Sequence, residues 1–190
     1  MKKIEENRIL KAFPKYLEKD VLLVCDKIPK TVKYNISNDK LREYVHSCYY
    51  KISFDNEILH LPSRIYFNEA NDDNLTKQQK QILYCIYTRH HNGFVREKYL
   101  KKIEVIQIWQ IPFVIQLLGE YVIELFPIIE NKINKNNFFL FKKFIAENEF
   151  YFYQTECRIA SYWNEYYRRT YPKLKEYIGY KIKEKLKTNT

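Results

Sequence analysis

The chain has 190 residues, 46% of them apolar and 17% aromatic, with a formal charge of +10 and a pI of about 9.2. A chain of this length buries roughly 70% of its unfolded surface without a disulfide or metal staple, and three glycines and six prolines exclude a low-complexity or linker-dominated chain. The basic balance points to an anionic partner: nucleic acid, a membrane surface or an acidic protein. It also follows from composition alone, because Lys, Asn, Ile and Tyr are abundant while Gly and Ala are scarce.

The opening MKKIEENRILKAF carries Glu5 and Glu6 and no apolar signal core, so no secretory leader is expected. DVLLVC at 20–25 reads as a short strand or a buried helical turn, which periodicity does not separate. NISNDKLREYVHSC at 35–48 reads as a short helix capped by Asn38 or Asp39. YKISFDNEILHLP reads as a hairpin near 50–61 that turns at Asp55-Asn56. In that register Ile52 faces Leu59 and Phe54 faces Glu57, so Ile52, Phe54, Leu59 and Leu61 share one face. Residues 1–70 thus form a small α/β N-terminal part, followed by the acidic connector NEANDDN at 68–74.

Residues 75–187 read as helical. Thr76 and Gln79 have capping-box spacing, ahead of an inward stripe of Ile82, Leu83, Ile86 and Tyr87. Arg89, His90 and His91 fall in that helix's last turn, and Asn92-Gly93 ends it in a left-handed conformation or caps the next. A helix over 94–103 turns Val95, Tyr99, Leu100 and Ile103 inward. The segment 108–129 is long enough to cross a bilayer, but Gln116, Glu120 and Glu124 recur every fourth residue. One core helix from Pro112 with a polar edge, kinked or ended at Pro127, accounts for it better than a membrane span. Asn136-Asn137 opens a helix with Phe138, Phe141, Phe144 and Ile145 inward, which Asn148 interrupts. A helix over 150–169 follows, with Phe152, Ile159, Ala160, Trp163, Tyr166 and Tyr167 on its apolar stripe. Its polar stripe is Gln154, Arg158, Ser161, Glu165 and Arg168. A last helix from Pro172 carries Leu174, Tyr177, Ile178, Ile182 and Leu186 among lysines.

NGFVREKYLKKI resembles the second helix of a HEAT-type repeat, with Val95-Arg96 after the turn and core positions at Tyr99 and Ile103. IPFVIQLL resembles the Pro-opened first helix of such a unit, so the likeness covers about 75–133. It departs at Tyr99, where that family usually has a small residue. The resemblance implies stacked antiparallel helix pairs with a partner-binding concave face, and it transfers no catalytic residue. RHHNGFVREKYL, PFVIQLLGEY and SYWNEYYR are also similar to segments of bacterial proteins of unassigned function. The fold expected is mostly α, with HEAT-like stacked helix pairs and a small α/β N-terminal part.

No metal or cofactor is expected. Cys25, Cys48, Cys85 and Cys157 show no zinc spacing and suit a reducing cytoplasm as free thiols. Two ExxH matches occur, Glu43 with His46 and Glu57 with His60, but the second sits in the hairpin, where residues three apart point to opposite faces. Glu120 and Glu124, with Arg158, are the catalytic candidates: carboxylates one helical turn apart do acid–base work or bind arginines across a helix interface. Arg96, Arg168, Arg169, Tyr171, Lys173 and Lys175 are candidates for binding a protein partner or nucleic acid. The leading expectation is a non-catalytic cytoplasmic protein-interaction module of scaffold or neutralising type, without a membrane segment. Nucleic-acid binding by the basic C-terminal helix is the alternative, and an enzyme built on the Glu/Arg seam comes after it.

Overall fold

The computed structural model describes residues 8–29 and 49–188. The expected helix at 35–48, the Glu43/His46 match and Cys48 lie outside them. The protein is mostly helical with a two-stranded antiparallel hairpin, and it divides into two units, residues 1–103 and 104–190.

In the first unit α1 spans Glu18–Lys27, which settles DVLLVC as helix. Val21, Val24 and Cys25 lie inward while Leu22 and Leu23 stay exposed, the signature of one helical face rather than of a strand. The hairpin strands are β1, Tyr49–Phe54, and β2, Glu57–Pro62, in the expected register of Ile52 against Leu59 and Phe54 against Glu57. Asp55 and Asn56 take φ of 45° and 64°, as a tight two-residue turn demands. Ile52, Phe54, Leu59 and Leu61 are all buried.

Helix α2, Lys77–Tyr87, starts at the Thr76/Gln79 capping box, both hydrogen bonds of which form. It packs between α1 and α3, Gly93–Lys102. Gln79 Nε2 donates to Asp20 Oδ1 at 2.8 Å, tying α2 to α1. The connector 68–74 lies within this unit. The Tyr87 hydroxyl donates to the Asn68 carbonyl at 2.6 Å and accepts the Ala70 N–H at 2.7 Å, while the Tyr84 hydroxyl donates to Asp72 at 2.7 Å.

In the second unit α4 spans Ile111–Leu118 and is buried on every face. The single helix expected from Pro112 to Pro127 is two. Gly119, at φ −90° and ψ 35°, ends α4, and α5 runs over Leu125–Lys132. Pro127 falls in the first turn of α5, where an amide hydrogen has no helical acceptor to lose, so it neither kinks nor ends a helix. Among the described residues no helix is long and apolar enough to cross a membrane.

Helix α6, Phe138–Glu147, and α7, Glu149–Tyr162, meet at Asn148, whose Nδ2 donates to the Phe144 carbonyl at 3.0 Å. The helix expected to reach 169 closes instead in a π-helical turn, Trp163–Tyr167. The last helix, α8, is Ile178–Lys187 and does not start at Pro172. Lys173 and Tyr177 are extended, at ψ 130° and 132°, so a separate 3-10 turn, Leu174–Glu176, stands between them. Helices α5, α6 and α7 each pack against both α4 and α8.

Candidate functional site

The first place to look for chemistry is the corner after α2. His90 and His91 follow the helix, and Ile65 pairs with His90 as a parallel bridge. His90 Nε2 lies 2.9 Å from the Phe67 carbonyl and its Nδ1 accepts the Asn92 N–H at 3.1 Å. A carbonyl only accepts, so the proton sits on Nε2 and the ring is neutral. Burial is the main reason its pKa falls to about 4, with His91 beside it as the next cause. No backbone here is left-handed: Asn92 has φ −79° and caps α3 through Oδ1, which accepts the Phe94 N–H at 2.9 Å. Among the described residues no group of three or more His, Cys, Asp or Glu side chains could hold a metal ion.

Two fully buried arginines complete this corner. Arg89 donates from Nε to the Pro62 carbonyl at 3.2 Å, from Nη1 to Thr88 at 3.3 Å and from Nη2 to Ser63 at 2.8 Å. Arg96 donates from Nη1 to the carbonyls of His90 and His91 at 2.8 and 2.9 Å. A guanidinium spreads its charge over several fixed donors, which suits carbonyls that a helix end and a chain reversal leave without amide partners. Arg96, expected on a partner-facing surface, is therefore a correction: it is 0% exposed and holds the corner together. Arg89 entered the sequence reading only as a helix-dipole cation, since nothing in RHHNG distinguishes a buried arginine from a solvated one.

The Glu/Arg seam is the second place. Glu120 is 2% exposed and Glu124 is exposed, and both lie in the non-helical loop that follows Gly119 and precedes α5. They do not line one helical stripe, which removes the paired-carboxylate geometry. A different seam forms. Tyr151 donates to Gln116 Oε1 at 2.6 Å, Thr155 Oγ1 donates to the Tyr151 carbonyl at 3.1 Å, and Arg158 Nη2 donates to Thr155 Oγ1 at 2.8 Å. The Arg158 side chain packs against Gly119, where an added Cβ would meet its Nε at 2.5 Å. Tyr151 and Thr155 were missed by the sequence reading, although Tyr151, Thr155 and Arg158 at spacings of four and three mark one helical face.

The third place is the surface formed by the π-helical turn and the loop after α4. The rings of Tyr121, Tyr162 and Tyr166 form a triangle with centroids 5.8–6.0 Å apart. Tyr121 is 44% and Tyr166 58% exposed. Tyr167 donates its hydroxyl to the Tyr121 carbonyl, and its ring stacks on buried Tyr177 at 5.4 Å. Trp163 Nε1 donates to the Tyr171 carbonyl at 2.8 Å, which closes the turn, and the Arg168 guanidinium lies 5.8 Å over the Trp163 ring. Arg168, Arg169, Lys173 and Lys175 are exposed and Tyr171 is half-buried, in turns rather than on the helix expected. The result is a set of packed aromatic rings, two of them open to solvent, followed along the chain by exposed cations. Comparison with protein-family models, with curated proteins and with solved structures finds no match to this chain.

Proposed function

We propose that this protein is a non-catalytic cytoplasmic binding module that holds a protein partner through the tyrosine-rich face of its second unit. The observation that carries the reading is the Tyr121–Tyr162–Tyr166 triangle, two of whose rings are exposed. Tyr, Trp and Arg dominate the binding energy of many protein interfaces: Tyr and Trp offer a large contact area with a polar handle and few rotors to freeze, and Arg a planar guanidinium that stacks and donates several hydrogen bonds. Ring packing and the Tyr167 and Trp163 hydrogen bonds reduce the ordering cost of binding. The charge of +10 favours an acidic partner, as for a scaffold or a neutralising protein. The HEAT-like stacking of helix pairs is part of this proposal, supported by the contacts between α2 and α3 and between α4 and α5.

The test is capture of a partner on immobilised protein, repeated with a Tyr121→Ala/Tyr166→Ala variant. Both side chains are exposed, so the fold survives their loss. The expected result is a partner held by the wild type and bound at least about tenfold more weakly by the variant. Equal retention by both proteins sinks the reading.

One observation favours a second reading. The exposed Tyr166 ring is followed by exposed Arg168, Arg169, Lys173 and Lys175, an arrangement that lets a base stack on tyrosine while cations meet phosphates. Nucleic-acid binding is therefore the alternative for the same face, and its dependence on salt separates the two.

A further inference from the structure

Away from the tyrosine face, a cleft of about 560 Å³ opens between the end of α5, the start of α6 and the end of α8. Its walls are Ile133, Asn134, Lys135, Phe138, Lys185 and Thr188. Ile133 is buried and Phe138 half-buried, so the floor is apolar, while Lys135 and Lys185 stand exposed at the rim. Among the described residues neither lysine has a carboxylate within ion-pair distance. The neighbouring lysines differ: Lys183 and Lys187 are both paired with Glu156, and Lys142 lies 5.7 Å over the Phe138 ring and donates to the Thr188 carbonyl at 3.0 Å. The cleft thus joins an apolar floor, two uncompensated cations and a volume suited to a small molecule.

We propose that this cleft binds a small soluble amphiphilic acid, an aromatic or acyl body lying on Ile133 and Phe138 with a single carboxylate or sulfonate between Lys135 and Lys185. Apolar contact supplies the affinity. The two ammonium groups select the charge, because an anionic group gains charge-assisted hydrogen bonds there that a neutral or cationic one lacks. The site is independent of the tyrosine face and stands whichever partner that face takes.

The probe is 8-anilino-1-naphthalenesulfonate, followed by its fluorescence, against its neutral counterpart N-phenyl-1-naphthylamine. The sulfonate is expected to saturate a single site and to bind about tenfold more tightly than the neutral ring system. A Lys135→Glu/Lys185→Glu variant is expected to lose about tenfold for the sulfonate and to change little for the neutral probe. A Lys51→Glu/Lys77→Glu variant carries the same change in net charge at exposed sites of the first unit and is expected to bind as the wild type does. Lys135 and Lys185 line the cleft rim and all four lysines are exposed, so the fold survives their replacement; circular dichroism and melting verify it, and a loss in a folded variant reads as a loss of binding. Equal affinity for both probes, or equal effects of the two variants, overturns the proposal. So does co-sedimentation with phosphatidylglycerol vesicles that vanishes only in the Lys135/Lys185 variant, which would assign the cations to a lipid surface.

Discussion

At the scale of single residues the corner after α2 governs the response to acid. His90 holds its proton on Nε2 and presents Nδ1 as an acceptor, so a second proton breaks the bond from the Asn92 N–H. The unfolded chain takes that proton near pH 6.5, whereas burial holds the folded group to about 4. Stability is therefore full above about pH 6.5 and falls as pH drops toward 4. His91 is lowered as well, chiefly by burial, and adds in the same direction. Urea midpoints taken from pH 7 to pH 4 are expected to fall, and His90→Gln is expected to flatten that fall. A Gln amide donates to Phe67 without titrating, so an unchanged slope would remove His90 as the cause. Arg89 gives a second prediction. Arg89→Met keeps much of the apolar stem and leaves the carbonyls of Pro62, Thr88 and Ser63 without the donors they have. A loss of about 3 kcal/mol is expected by urea denaturation, and a loss below about 1 kcal/mol would mean that water replaces the guanidinium.

At the scale of elements, chain breaks set the shape of the second unit. Gly179 stands in the first turn of α8, where an added Cβ would meet Tyr177 Cε1 at 3.0 Å and Phe126 Cε1 at 3.1 Å. Both rings are buried, and they pack edge to face at 5.4 Å, so neither has room to move. Gly179→Ala is expected to cost about 1–3 kcal/mol despite the better helix propensity of alanine; a gain in melting temperature would show that α8 shifts freely against α5. These breaks also show which features were legible in the sequence. The hairpin register was readable because two alternating apolar runs flank a two-residue turn, and a slip by one residue would expose Ile52 and Leu59. The start of α2 was readable because the Thr76/Gln79 capping box is a local device. The end of α4 was not. Gly119 packs against the Arg158 side chain, a contact between residues far apart in the chain, whereas the visible breaker, Pro127, is harmless in a first turn. The Glu120/Glu124 reading failed with it, since it assumed one helix across that break. The tyrosine face was half legible. Its residue types stood out in YYRRTYPKLKEY, but the part played by Tyr121 depends on a loop meeting a π-helical turn.

At the scale of the whole molecule, a charge of +10 gives any polyanion some attraction, so binding alone says little about function. Salt dependence says more. Counterions released from a single strand give a slope of log K against log salt of about −0.7 per phosphate neutralised. If Arg168, Arg169, Lys173 and Lys175 each met one phosphate, the slope would be about −3. Replacing both arginines by alanine would bring it to about −1.4. A protein partner seated on Tyr121 and Tyr166 depends mainly on buried aromatic area, and its slope is expected to be shallower and little changed by the same substitutions. We expect a labelled oligonucleotide to bind at 50 mM salt and to be lost by 200 mM, as diffuse attraction requires, while a captured protein stays bound across that range. The reverse pattern, in which the oligonucleotide survives 200 mM salt with a slope near −3 that halves in the Arg168→Ala/Arg169→Ala variant, would transfer the tyrosine face to nucleic acid. The separation is sharp because stacking area and ion release respond to different variables: the first follows the rings at 121 and 166, and the second follows the cations at 168 and 169.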